Sequence, residues 1–428
     1  MESAILSNAI DGKSEPLSGI RVIDLTHSWA GPHCTRLLAD YGAEVIRIEY
    51  PKRLCFFRGG RTEDKAYDQQ TSWYQVNRNK YSLALDLDES ADKRMLRELI
   101  THADIVVSNS RPGVMTNLGF DYEDLVRLAP NIIMLSMTAF GDTGPYADYC
   151  AYGAVMEGVG GIQSLTAYGP DERPQRIREM DVLNGIGAAA AILTALHHRR
   201  QTGEGQYIDL SQMEMPTHAL IGEKLLEQSM LGNHSKPTGN RSAFFAPQGC
   251  YPCRCSTTAD NDKIDQWITL SVRNEAEWQS FLQVVDSPKL HKSKRFRTNA
   301  DRLANQKQLD KLISAWTEQQ NARDLMAELQ QRGIPAAVVQ NVADLCADAH
   351  LAARDYFFAE AANLLDGENQ SPQKFMGVPF RLKGMRPEVT RGPYLGEHNL
   401  LIGTQLLKRH SKDIPLLREE EIGTAYDV

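Results

Sequence analysis

Cysteine is scarce, with seven in 428 residues at positions 34, 55, 150, 250, 253, 255 and 346. An odd number scattered through so long a chain argues against a disulfide framework and for reduced thiols. Long hydrophobic runs are missing too: the nearest candidate, residues 182–196, falls short of a bilayer span and contains Asn184, Gly185 and Gly187. The first sixteen residues have neither an apolar signal core nor an Arg-rich amphipathic pattern, so a cytoplasmic address is expected. Excess charge is also small. Lys and Arg number 47 against 55 Asp and Glu, a formal charge of -8, which gives no global pull toward nucleic acid or an anionic membrane. An anionic ligand must therefore meet local basic groups. The turn Thr26-His27-Ser28-Trp29-Ala30-Gly31-Pro32 lacks the three glycines that let a dinucleotide pyrophosphate reach the backbone, which argues against nicotinamide chemistry. No Walker loop, nucleophile-elbow serine or zincin motif is present. Cys250, Cys253 and Cys255 have a metal-like spacing, but no second Cys pair or His cluster follows. They read as part of a strand, and no metal site is expected.

What is present is enough to bury a sizeable core: 42% hydrophobic and 24% charged residues over a length suited to two domains. Residues 20–24 form a short apolar run, Pro32 can open a helix that Gly42 ends, and 44–49 reads as a second strand. The pattern recurs, with strands over 82–87, 104–108 and 131–138 and a helix over 90–101. This is an α/β, Rossmann-like, doubly wound large domain whose ligands belong in the crevice beyond the strand carboxyl ends. After Asp181 an Ala-rich helix runs through Arg200, Thr202-Gly203-Glu204-Gly205-Gln206 makes a turn, 207–210 reads as a strand and 212–231 as a helix. Beyond the linker-like stretch 232–242, strands over 250–255 and 267–272 and helical segments over 275–285 and 308–332 suggest a smaller α+β domain. An extended segment over 378–382 and a last helix to about Arg409 complete the pattern. The expected division is residues 1–225, the first part of the large domain; 226–340, the smaller domain; and 341–428, a C-terminal segment returning to the large domain.

Among the carboxylates Asp181 stands out, because it immediately precedes the apolar helix in a segment flanked by Arg176, Arg178 and Glu179. Asp is a favoured capping residue, so an ordinary N-cap contributing about 1 kcal/mol accounts for its position. The same position has a second use: a helix N-terminus favours the ionised form, and a carboxylate in a water-poor site can act as a nucleophile.

The order of short motifs carries more. Pro16-Leu17-Ser18-Gly19, Val22-Ile23-Asp24-Leu25, Ala30-Gly31-Pro32, Asp40-Tyr41-Gly42-Ala43-Glu44-Val45-Ile46 and Asn79-Lys80 appear in turn. Asn109-Ser110-Arg111-Pro112-Gly113, Gly141-Asp142-Thr143-Gly144-Pro145, Thr202-Gly203-Glu204-Gly205-Gln206 and Leu395-Gly396-Glu397-His398 follow. In this order the chain resembles the family III CoA-transferases, the group containing formyl-CoA transferase, carnitine CoA-transferase and, as a divergent branch, α-methylacyl-CoA racemase. The resemblance implies a homodimer whose chains thread through one another like links. It implies that CoA moves from an acyl-CoA donor to a carboxylic acid acceptor, with no permanently bound cofactor, and that Asp181 is the catalytic aspartate. The carboxylate would attack the thioester to form a mixed anhydride and then an aspartyl-CoA thioester.

For CoA the resemblance points to Ser28, Trp29, Ala30, Tyr50, Leu85, Asn109, Arg111, Thr138 and Phe140. Trp29 stands where formyl-CoA transferase has Gln, Tyr50 and Asn117 where it has Arg, and Thr138 and Phe140 where it has Lys and Tyr, so phosphate and adenine contacts must differ. Lys52, Arg53, Arg58, Arg78, Lys80 and Arg111 offer local positive charge. Gly158, Gly160 and Gly161 suit either a mobile cover or close packing. The racemase branch places a His after the Gly-Pro turn, where this chain has Tyr152, which favours the transferase. A non-catalytic acyl-CoA binding protein, with Asp181 only a cap, is the remaining alternative. The segment 239–249 resembles relatives acting on larger dicarboxylic or aromatic acids, with succinyl-CoA the expected donor.

Overall fold

Val22, Ile23 and Asp24 alternate between the two faces of one strand, and the chain is built outward from them. The computed structural model describes residues 15–59, 63–257, 263–285, 287–360, 373–383, 385, 387–417 and 422–423. Two units emerge, the first made of Met1–Gln163, Arg176–Asn233 and Leu351–Val428, the second of Ser164–Gln175 and His234–His350.

The first unit begins β1 (Arg21–Asp24), α1 (Ala30–Ala39), β2 (Glu44–Glu49), α2 (Thr71–Asn77) and β3 (Lys80–Ala84). It continues α3 (Ser90–Ile100), β4 (Ile105–Ser108), α4 (Val114–Leu118), α5 (Tyr122–Leu128) and β5 (Ile133–Thr138). Then come α6 (Gly153–Val159), α7 (Met180–Thr202), β6 (Gln206–Ser211) and α8 (Glu214–Leu231). The six strands form one parallel sheet in the order β3-β2-β1-β4-β5-β6. Alternate side chains feed two cores, one on each face: Ile23, Ile46, Leu83 and Val106 with α3 and α5, and Val22, Val45, Ile105 and Ile133 with α1 and α7. The chain direction along the sheet reverses between β1 and β4, where a parallel sheet opens a crevice at its carboxyl edge.

The expected α/β architecture with a parallel sheet is what forms. Its third strand lies two residues earlier than the hydrophobic pattern over 82–87 implies, because Lys80 is a strand residue whose ammonium is buried 3.0 Å from Asp24 Oδ2. The fold gives the Thr-Gly-Glu-Gly-Gln turn its reason. Gly203 ends α7 with φ +80°, and a methyl group on Gly205 would lie 2.1 Å from the carbonyl oxygen of Ile132. At 23 residues, with an apolar stretch of 18 within it, α7 is long and apolar enough by length and composition to cross a membrane. This corrects the expectation from 182–196, since the helix also takes in Met180, Asp181 and the polar turn 197–202. Its Asn184, Gly185, Ala188, Ala189, Ile192 and Ala195 are buried in the first unit, against α1 and the sheet.

The second unit contains β7 (Gln248–Thr257), β8 (Lys263–Ser271), α9 (Glu275–Val284), α10 (Pro288–His291), α11 (Asn299–Ala304), α12 (Gln306–Thr317), α13 (Ala322–Gln331) and β9 (Ala336–Val338). The strands form an antiparallel sheet in the order β7-β8-β9, covered by Trp278, Phe281, Leu309, Ile313, Leu325 and Leu329. The single helical stretch expected over 308–332 is two helices. Asn321 interrupts it by accepting hydrogen bonds from the N–H groups of Arg323 and Asp324, an N-cap that restarts the chain as α13.

Short helices α14 (Val342–Cys346) and α15 (Ala349–Ala353) lead to a hairpin of β10 (Phe357–Glu360) and β11 (Gln373–Met376). Residues 378–382 are not a strand: only Leu382 makes an isolated bridge, to Met385. The final helix, α16 (Asn399–Leu401), passes into a π-helical turn over Ile402–Leu406. Asn399 accepts from the N–H of Ala84 at 2.9 Å and donates to its carbonyl oxygen at 3.2 Å, extending the end of β3.

Candidate active site

Asp181 is not the N-cap. Glu179 holds that position without a side-chain cap, and Asp181 is the second residue of α7, so its carboxylate is free to point elsewhere. It is half-buried, and the backbone N–H of Ala30, the first residue of α1, and its own N–H lie near enough to lower its pKa. Two helix N-termini are thereby aimed at one carboxylate. Close approach of α1 and α7 makes this possible. A methyl group on Gly185 would lie 2.6 Å from His33 Cδ2 and 3.0 Å from the carbonyl oxygen of Ala30.

The other side of Asp181 is formed by Gly153, which opens α6. A methyl group there would stand 3.5 Å from Asp181 Oδ2 and 2.9 Å from Arg176 Nη2. Burial pushes the Asp181 carboxyl above the ordinary range; the Ala30 amide, the Arg176 cation and its own amide pull it down, and nearby Glu157 pushes it up. The net direction is upward, so the group is more basic than an exposed aspartate. Glu157 was not singled out from the sequence. Its one signal is a lone charge inside the otherwise uncharged run over 152–170, and the structure buries it completely.

The residues assigned to CoA by resemblance lie at the carboxyl edge of the parallel sheet or in its loops. Ser28, at φ +62°, donates its N–H to Cys55 Sγ at 3.3 Å, and Trp29 caps α1 with its ring 5.8 Å from Phe57. Tyr50 follows β2 and donates to Asp88 Oδ2 at 2.7 Å. Asn109 follows β4 and grips His27 from both sides, accepting its N–H at 2.7 Å and donating to its carbonyl oxygen at 2.8 Å. Arg111 is exposed, with Nη1 3.4 Å from Cys150 Sγ. Thr138 ends β5 with a buried, unpartnered hydroxyl, and Phe140 is buried beneath Tyr146 and Tyr149. The Leu85 side chain is wholly within the core, which leaves only its backbone to offer a ligand.

Half of the cations expected to supply local positive charge are committed elsewhere. Arg58 is buried, forks onto Glu49 at 2.6 and 2.8 Å and stacks 3.6 Å over Trp73. Arg78 forks onto Asp40 at 2.9 and 2.7 Å. Lys80 and Arg47 pair with Asp24, which also accepts the hydroxyls of Thr26 and Thr35. Burial, opposed by Asp24, pushes Lys80 down to about 8, while these partners overcome burial and hold Asp24 far below the carboxylate range. Lys52, Arg53 and Arg111 remain exposed, although Lys52 bridges to Asp86.

The glycines 158, 160 and 161 belong to α6 and its end. A methyl group on Gly160 would lie 2.6 Å from Thr217 Oγ1 of α8, the close-packing use of that position. His33 packs beside Gly185, and burial with three nearby cations holds it down to about 3, so it is neutral near pH 7 and unsuited to be the acid of a proton-transfer pair.

Comparison with known proteins identifies the family. A succinyl-CoA–D-citramalate CoA-transferase from Chloroflexus aurantiacus is 33% identical over 95% of this chain and 98% of its own length. A succinate–glutarate CoA-transferase from Agrobacterium fabrum is 30% identical over 92% and 96%. The crystal structure of a CaiB/BaiF family protein from Brucella suis superposes with a TM-score of 0.79, at 29% identity, over 92% of this chain and all of that one. Residues 17–399 match CoA-transferase family III, and the chain belongs to that family of enzymes.

Proposed function

We propose that the protein transfers CoA between small dicarboxylic acids through a covalent intermediate on Asp181, with succinyl-CoA as a donor. The observation that carries the reading is the Asp181 carboxylate itself: half-buried, raised in basicity, and oriented by the Ala30 amide at the start of α1. An Asp181 oxygen attacks the thioester carbonyl of the donor, the C–S bond breaks, and CoA leaves as the thiolate, giving a mixed anhydride. The thiolate then attacks the aspartyl carbonyl, releasing the donor acid and leaving an aspartyl-CoA thioester. The acceptor carboxylate attacks that thioester and expels the thiolate, which takes the acceptor acyl group from the new anhydride and restores Asp181. No net proton moves, so the protein's work is orientation and exclusion of water.

The dicarboxylic preference is supported by the named substrates of the two relatives above. Ser28, Trp29, Ala30, Tyr50, Leu85, Asn109, Arg111, Thr138 and Phe140, gathered at the sheet's carboxyl edge, are the proposed surface for CoA. Leu220, Leu225, Leu226, Met230 and Leu231 on α8 are exposed, and we assign this apolar helix surface to a second copy in a homodimer.

The test is intact-protein mass spectrometry after incubation with succinyl-CoA, run beside a thioester-exchange assay. An adduct of CoA mass that maps to Asp181 and is absent from Asp181→Ala is expected, with exchange lost in the variant. Full exchange by Asp181→Ala would overturn the reading.

A further inference from the structure

Among the described residues, Arg176 is the cation that acts on Asp181, and it is held there by a buried partner. Glu157, on α6, is fully buried, and its Oε1 accepts both Arg176 Nε at 3.2 Å and the backbone N–H of Arg178 at 3.2 Å. Anchoring through Nε leaves both terminal nitrogens of the fork free to turn outward. The Arg176 side chain is 43% exposed, while that of Glu157 is 0% exposed. The backbone is bent to suit this arrangement: Arg178 has φ +59°, a left-handed conformation that costs a non-glycine residue free energy and persists where surrounding contacts impose it. A surface salt bridge would need neither the buried anion nor the bent backbone.

Gly153 fixes the relation to the nucleophile. Arg176 Nη2 and Asp181 Oδ2 lie within contact distance of the same point, where a Gly153 side chain would otherwise be. A carboxylate bound by the fork is therefore displaced from the attacking oxygen by a few ångströms. A four-carbon diacid spans roughly 4 Å between its two carboxyl carbons at ordinary bond lengths. Once Asp181 is acylated its negative charge is gone, and Glu157, bound at Nε, is the anion that still faces the guanidinium.

We infer that Arg176, positioned by Glu157, is the specificity-determining residue that binds the distal carboxylate of a dicarboxylic acyl group while its other end reacts at Asp181. This deepens the function proposed above and rests on it. Paired N–H groups on a carboxylate are the geometry for which a guanidinium is suited, and a lysine in its place keeps the charge without the fork.

The experiment follows adduct formation on the full-length protein by rapid quench and intact mass, comparing succinyl-CoA with butyryl-CoA, which has the same carbon count without the distal charge. Wild type is expected to favour succinyl-CoA by about 10- to 100-fold. Arg176→Gln should collapse that ratio toward one, Arg176→Lys should restore part of it, and Glu157→Gln should fall between. A ratio unchanged in Arg176→Gln, with both rates falling together, would assign Arg176 only to the support of Asp181 and overturn the inference. Equal rates for the two donors in wild type would overturn it also. Failure of the underlying reading looks different: no adduct from either donor, or one that survives in Asp181→Ala, removes the covalent mechanism and this inference with it.

Discussion

Gly185→Ala tests the geometry of the site without touching its chemistry. The added methyl would meet His33 Cδ2 at 2.6 Å, His33 Cβ at 3.0 Å and the Ala30 carbonyl oxygen at 3.0 Å, where ordinary contact begins at 3.4 Å. The His33 ring is tethered through Nδ1 to Arg36 Nη2 at 2.9 Å, and the Ala30 carbonyl is backbone, so neither can swing aside alone. The start of α1 must move away from α7 by a few tenths of an ångström at least, and it carries the Ala30 N–H away from Asp181.

Two terms oppose each other in stability. Replacing glycine by alanine inside a helix gains about 1 kcal/mol, and over-packing typically costs about 1–3 kcal/mol, so the net change is a loss of at most about 2 kcal/mol. Catalysis is more sensitive, because a misplacement near 1 Å can cost about 100-fold, and a fall in kcat of about 10- to 100-fold is expected. Gly187→Ala is the control. It lies on the same helix, but its methyl would meet the Cγ, Sδ and Cε atoms of Met215, a flexible side chain that can yield. Its melting temperature should hold or rise, with kcat unchanged. Thermal melts and thioester-exchange kinetics on both variants decide the matter. A Gly185→Ala protein with wild-type kcat would show that registry between Ala30 and Asp181 is not used in turnover.

Two further outcomes follow from the charges. Asp24→Asn removes the carboxylate that buried Lys80 and Arg47 share, so unfolding free energy from denaturant titration should fall by about 3–5 kcal/mol; a loss below about 1 kcal/mol would mean these buried ion pairs contribute nothing net. In the proposed reaction Asp181 must be ionised to attack, so activity should be present above its pKa and lost as pH falls through it. Since burial raises that pKa, the acid limb of kcat/KM should lie above the ordinary aspartate value of 3.8, and Arg176→Gln, by removing a cation that lowers it, should move the limb higher still. A limb that stays fixed in that variant would show that the two groups do not interact.

The parts of the fold legible in the sequence were those governed by local pattern. β2 falls at Glu44–Glu49 as its alternation implies, and the apolar runs ahead of β4 and β5 locate those strands within two residues. Where a tertiary charge decides, the pattern misleads. Lys80 lies outside the expected strand over 82–87 and is the first residue of β3, and Lys80, Arg58 and Arg78 read as local positive charge and are buried in ion pairs. Asp181 could be picked out by its place before an Ala-rich helix, but that place suggested a cap. Only the structure shows the carboxylate directed at a neighbouring helix. Glu157 gave almost nothing away, since nothing local distinguishes a buried organiser of an arginine from a solvated glutamate.

The nucleophilic role proposed for Asp181 places conflicting requirements on its carboxylate. Charge must be present at neutral pH, which hydrogen bonds and a cation favour; basicity must stay high, which the same groups oppose. At Asp181 burial outweighs the pull of two amides and one guanidinium, so the pKa moves upward. An ordinary helix cap bonded to two or three amides, without burial, would move the other way and give a poorer nucleophile. Lifting the carboxylate out of the cap position, by starting α7 two residues earlier at Met180, is what makes burial and orientation by α1 compatible. The helix start, more than the identity of the aspartate, separates this site from a capping residue of the same sequence.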